Sequence, residues 1–133
     1  MDRSLILIVE DDDSSREGLA AFLTLSKFRV LTAREGSEGL ALARRHCPKL
    51  ILLDINMPTM DGFAFRAAQR ADRTIQAVPI IVISGRHDVA AIAKQLGAHA
   101  WLQKPIDPSR ILAAIAGVQP AGPPDCPESG TSD

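Results

Sequence analysis

The sequence predicts an α/β domain: a doubly wound (βα)5 three-layer sandwich built on one five-stranded parallel sheet. Three observations carry that expectation. Short apolar runs recur at residues 5–9, 28–32, 50–53 and 78–83, with a weaker one at 100–103. Three of the five are nearly continuous in Ile, Leu and Val, the pattern of strands covered on both faces. Segments with helical spacing fill the gaps, so strand and helix alternate and right-handed crossovers follow.

The helices are read in order from their caps and apolar stripes. Residues 14–26 place Leu19, Phe22, Leu23 and Ser26 at helical spacing, and Ser14-x-x-Glu17 is a capping-box signature. Residues 37–47 stack Leu40, Ala41 and Arg44, and Pro48 ends that helix. Residues 63–71 and 88–96 are Ala-rich, with Gly97 as a C-terminal stop for the second. Asp107 and Pro108 supply an N-cap and a first-turn proline for residues 109–116. Phe63 and Phe65 read as packing residues, and Arg86, His87 and His99 as solvated surface.

At 133 residues the chain holds one domain, expected over residues 1–118. Residues 119–133 carry four prolines among Gly, Ser and acids, without apolar periodicity, and read as a disordered tail. A net charge of −1 argues against binding nucleic acid through bulk charge. No apolar stretch approaches the roughly 20 residues a membrane helix needs, and residues 5–9 run straight into four acids rather than a signal-peptide core. Cys47 and Cys126 show neither metal-ligand spacing nor a disulfide framework, and Cys47 reads as a small buried apolar residue. A cytoplasmic protein is expected.

Open parallel sheets bind ligands outside the carboxyl ends of their strands. The residues just past each predicted strand are therefore the ones that matter. Strand one is followed by Glu10-Asp11-Asp12-Asp13, strand three ends in Asp54 with Asn56 beyond it, strand four closes on Ser84, and strand five delivers Lys104-Pro105. Two like charges about 4 Å apart cost roughly 4 kcal/mol at an effective dielectric of 20, so such a cluster must take up a lysine, bind a cation or shift a pKa. With only oxygen ligands converging, Mg2+ fits better than Zn2+. Asp12 and Asp13 also suit the start of the following helix. The chemistry suggested is phosphoryl transfer to a carboxylate: Asp54 as nucleophile, Mg2+ and Lys104 neutralising the transferred oxygens, Ser84 donating to one of them.

The ordered set Val9-Glu10-Asp11-Asp12, Leu53-Asp54-Ile55-Asn56-Met57-Pro58-Thr59-Met60-Asp61-Gly62, Ser84 and Lys104-Pro105 resembles the receiver domain of bacterial two-component response regulators. It covers about residues 4 to 116, with 43 residues from Asp11 to Asp54, 30 from Asp54 to Ser84 and 50 from Asp54 to Lys104. The resemblance implies a flavodoxin-like fold, with Asp54 as phosphoacceptor. It also implies a metal site of Glu10, Asp11, Asp54 and the Asn56 backbone carbonyl, with Asp11 a direct ligand and Glu10 acting through water. Ser84 matches the hydroxyl switch position, Lys104 the phosphate-contacting lysine, and Pro105 the residue that follows it in a cis bond. Trp101 falls where the family has its rotating Tyr or Phe. The implied partners are a histidine kinase or phosphotransfer protein upstream and another protein downstream, with no direct nucleic-acid or membrane contact. The chain is expected as a monomer or a phosphorylation-dependent dimer.

Two other classes compete. A phosphatase of the haloacid dehalogenase type also uses Mg2+ and a strand-end Asp, but needs a general acid two residues later, where this chain has Asn56. A receiver-fold scaffold that is never phosphorylated would tolerate loss of Glu10, Asp54 or Lys104, yet all three are present. The expectation is a signalling domain rather than an enzyme.

Overall fold

A computed structural model describes residues 5–55 and 62–118. The elements alternate as β1 (Leu5–Val9), α1 (Asp13–Leu25), β2 (Arg29–Ala33), α2 (Gly36–His46), β3 (Leu50–Asp54), α3 (Gly62–Arg70), β4 (Ile80–Ser84), α4 (Val89–Leu96), β5 (Ala100–Gln103) and α5 (Pro108–Ala116). All strand pairs are parallel, in the order β2-β1-β3-β4-β5. This is the doubly wound (βα)5 sandwich that the alternation of apolar runs predicts. The tail expected at 119–133 lies outside the described residues.

Two apolar layers flank the sheet. One joins Leu7, Val9, Leu53 and Val82 to Leu40, Phe65 and Ile92 of α2, α3 and α4. The other joins Ile6, Ile8, Leu52 and Ile83 to Leu23 of α1 and Ile111 of α5. Every residue of β1, β3 and β4 is buried, which explains why those strands lack alternation. Each fully buried Ile or Leu contributes about 1.5–3 kcal/mol through removal from water. Phe65 is fully buried, whereas Phe63 is 44% exposed and corrects its reading as a packing residue: it sits on the outer face of α3.

Boundaries shift by a residue or two for local reasons. The Phe28 N–H bonds Leu23 O as part of the α1 terminus, so β2 starts at Arg29. Pro79 lacks an N–H, and β4 starts after it although Pro79 O accepts from Ile51 N. At the head of α1 the cap is Asp12, whose carboxylate accepts from Ser15 N at 2.8 Å; the Ser14-x-x-Glu17 capping box is not used. Asp107 caps α5 as expected. Gly97 ends α4 in the left-handed region at φ 70, where a side chain is strained. Cys47, half-buried, occupies the left-handed C-cap of α2 and is not a free thiol, which corrects its reading as a buried apolar residue.

Arg66 and Arg70 of α3 donate to the last carbonyls of α4: Arg66 Nε to Leu96 O at 2.7 Å and Arg70 to the same oxygen at 2.9 Å. Buried Gln69 donates to Ile75 O and Val78 O and shapes the approach to β4. Gly62, the first residue of α3, donates its N–H to Ile55 O at 3.0 Å, closing the chain onto the end of β3. A Cβ at Gly62 would lie 2.5 Å from Ile55 Cγ2 and 3.0 Å from Ile55 Cα. Gly62→Ala should therefore destabilise the fold by about 1–3 kcal/mol, seen as a lower urea midpoint at unchanged slope. An unchanged midpoint would contradict the close approach.

Candidate functional site

A parallel sheet sends every strand's carboxyl end to one edge, and the register decides which side chains meet there. Glu10 follows β1 and is tied to β2 through Glu10 N to Ala33 O at 3.1 Å. Asp54 is the last residue of β3 and pairs with Ile83. Ser84 ends β4 opposite Gln103, and Lys104 N donates to Ser84 O at 2.9 Å. Backbone bonding thus brings together Glu10, Asp54, Ser84 and Lys104. Asn56, the fourth expected metal ligand, lies outside the described residues.

Glu10 and Asp54 are buried, at 1% and 4% exposure, while Asp11 is exposed beside them. Glu10, Asp11 and Asp54 each offer a carboxylate oxygen, all within 4.8 Å of one another. Lys104 Nζ lies 2.9 Å from Glu10 Oε1 and 3.7 Å from Asp54 Oδ2. Burial alone would lower the Lys104 pKa. The contact with Glu10 and the charges of Asp54, Glu10 and Asp12 outweigh it, and the pKa is raised.

One lysine does not complete this arrangement. Glu10 Oε1 is buried, and the Lys104 ammonium at 2.9 Å leaves its bonding incomplete. The other oxygen, Oε2, accepts from Asp12 N at 3.1 Å. A buried, incompletely bonded carboxylate oxygen among three acids, with oxygen the only donor type, fits a hard divalent cation.

Ser84 is fully buried, and its Oγ accepts from Arg86 N at 3.0 Å. The loop after β4 is held further by Gln103 Nε2 to Arg86 O at 3.2 Å and by the Arg86–Asp88 ion pair at 2.9 Å. Lys104-Pro105 is a cis peptide, as the resemblance implies. Trp101 lies on β5 opposite Val82 and is 44% exposed, so its ring faces outward. An open groove of about 560 Å3 runs between α1 and α5 from Glu10 and Lys104 to Leu19, Phe22 and Ile111.

Sequence reasoning passed over one residue beside this site. Arg16, in the first turn of α1, is 6% exposed and donates to Glu10 O at 3.1 Å and Asp11 O at 3.4 Å, while pairing with Asp13. Its signal was positional. Arg16, Leu19 and Leu23 share one helical stripe, so a cation there points inward.

Residues 6–116 match the family model described as the response regulator receiver domain. Protein PilH of Pseudomonas aeruginosa is 34% identical over 115 residues, covering 85% of this chain and 95% of PilH. Transcriptional regulatory protein AfsQ1 of Streptomyces coelicolor is 35% identical over 95% of this chain, but the chain spans only 56% of AfsQ1. Likewise it spans 25% of response regulator PleD of Caulobacter vibrioides, at 37% identity over 83% of this chain. Among solved structures, chemotaxis protein CheY4 of Vibrio cholerae superposes with a TM-score of 0.82 at 31% identity, covering 89% of this chain and all of that one.

The electrostatics give a signed expectation. Lys104→Met should cost about 1–3 kcal/mol, less than the ~3–5 of a fully buried pair because Lys104 is partly exposed. The folded-state pKa of Lys104 is raised, so its contribution is fully present below the usual lysine value of about 10.4 and is lost as pH rises through the higher folded value. Urea melts of both proteins should differ constantly from pH 8 to about 10 and converge above that range. Convergence at neutral pH would contradict the ion pair.

Proposed function

Since this chain belongs to the response regulator receiver family, a family of signalling domains in two-component systems, we propose that Asp54 is its phosphoacceptor. The observation that carries the reading is Lys104 Nζ, 3.7 Å from Asp54 Oδ2 at a sheet edge that also holds Glu10, Asp11 and Ser84. A histidine kinase or phosphotransfer protein presents a phosphoimidazole. An Asp54 oxygen attacks phosphorus, the P–N bond breaks, and its electron pair stays on the imidazole nitrogen. The groove between α1 and α5 opens beside Lys104 and gives the donor an approach.

Glu10, Asp11 and Asp54, with the Asn56 carbonyl, would hold Mg2+, which when bound neutralises oxygens of the phosphoryl group. Lys104 needs only to turn from Glu10 to meet a second oxygen. The Ser84 hydroxyl donates to a third while its oxygen can still accept from Arg86 N. Glu10 and Asp11 bear no proton-transfer role, since carboxylate attack on phosphorus needs no general base.

Phosphorylation then adds negative charge where Ser84 and Lys104 are the mobile responders. Each charge-assisted hydrogen bond contributes roughly 1.5–3 kcal/mol. Two such bonds supply about 3–6 kcal/mol, mostly short of the ~5.5 that would carry a 1:99 equilibrium to 99:1, so the shift is partial unless a partner helps. The loop through Arg86 and Gln103 transmits it toward α4 and β5, where exposed Trp101 is the switch aromatic. Output runs through protein contacts.

Incubation with acetyl phosphate and Mg2+, followed by intact mass, should add one phosphoryl group to the wild type and none to Asp54→Asn. The adduct should be absent when Mg2+ is chelated. No adduct, under conditions that label another receiver, would favour a scaffold that is never phosphorylated.

A further inference from the structure

Arg16 is the one buried basic side chain among the described residues, and its partners all belong to the acidic turn after β1. Burying a guanidinium is expensive unless its donors are met, so its placement at 6% exposure calls for a reason beyond packing. One nitrogen, Nη1, reaches the carbonyl oxygens of Glu10 and Asp11, the two consecutive residues whose side chains converge with Asp54. The other, Nη2, pairs with Asp13 at the first position of α1. The Arg16 backbone N–H bonds Asp12 O at 2.9 Å, so the side chain returns over a turn that its own helix begins.

We propose that Arg16 is a positioning residue for the divalent-cation site: it fixes the Glu10 and Asp11 peptides and thereby aims their carboxylates. The proposal rests on the reading of Glu10 and Asp11 as metal ligands. Asp11 is the exposed member of the cluster, and its backbone carbonyl is held by the Arg16 fork at 3.4 Å. Lysine cannot reproduce this, because one ammonium replaces a planar fork spanning two carbonyls and a carboxylate.

The effect has a sign that separates positioning from charge. Removing a cation beside Glu10 should by itself tighten metal binding, whereas releasing the turn should weaken it. A residue needed only for stability would lower the melting temperature and leave affinity unchanged.

Calorimetric titration of Mg2+ into wild type, Arg16→Met, Arg16→Lys and Asp13→Ala, with thermal melts in chelator, makes the test. Arg16→Met should lose about 10-fold or more in affinity, in the range typical of groups that orient metal ligands. Arg16→Lys should lose several-fold despite its retained charge, and Asp13→Ala less than about 3-fold because both carbonyl contacts survive. Unchanged or tighter binding by Arg16→Met overturns the proposal. Should that variant not fold, wild-type affinity in Arg16→Lys overturns it equally. If Asp11→Asn binds Mg2+ as the wild type does, the metal-site reading itself fails, and the two failures are told apart.

Discussion

The position of one ammonium group sets the electrostatics of the acidic sheet edge. Lys104 stands between Glu10 and Asp54, with Asp11 alongside, at the carboxyl edge of a sheet whose inner strands are completely buried. Three carboxylates so placed repel by amounts comparable to the net stability of a small domain. Lys104 offsets part of that repulsion but leaves Glu10 Oε1 incompletely bonded. The site is therefore held short of neutrality, a condition that favours a divalent cation over further protein groups.

That constraint reaches into the fold. Lys104 can hold its place because β5 registers with β4, and Lys104 N bonds Ser84 O. Asp54 holds its place because β3 registers with β4 at Ile83, and Gly62 bonds the next residue, Ile55, without a side chain in the way. Arg16 does the equivalent for Glu10 and Asp11 from the helix side. Each charged group is set by backbone hydrogen bonding or close approach from a different direction. The close-packed apolar layers on both faces of the sheet give these groups a stiff support.

Much of this was legible in the sequence because parallel strands announce themselves as unbroken apolar runs, and the chemistry follows them. Asp54, Ser84 and Lys104 were found by looking just past Leu53, Ile83 and Gln103. The helix-start reading of Asp12 holds, whereas the Ser14-x-x-Glu17 box does not, because both residue types cap helices and only the backbone turn after Glu10 selects between them. Phe63 misled because two phenylalanines two residues apart cannot share one helix face: Phe65 aligns with Gln69 inside, which leaves Phe63 outside. Arg16 escaped since an arginine in a first turn usually points to solvent. Its inward stripe is visible only once Leu19 and Leu23 are given a face.

Amide spectra of 15N-labelled protein held in Mg2+ throughout, before and after acetyl phosphate, would test most directly whether these strand ends form one responsive unit. The account predicts perturbations gathered at residues 10–16, 84–86 and 103–106, all lost in Asp54→Asn. Perturbations confined to α2 and α3, or a spectrum that persists unchanged through phosphorylation of Asp54, would contradict it.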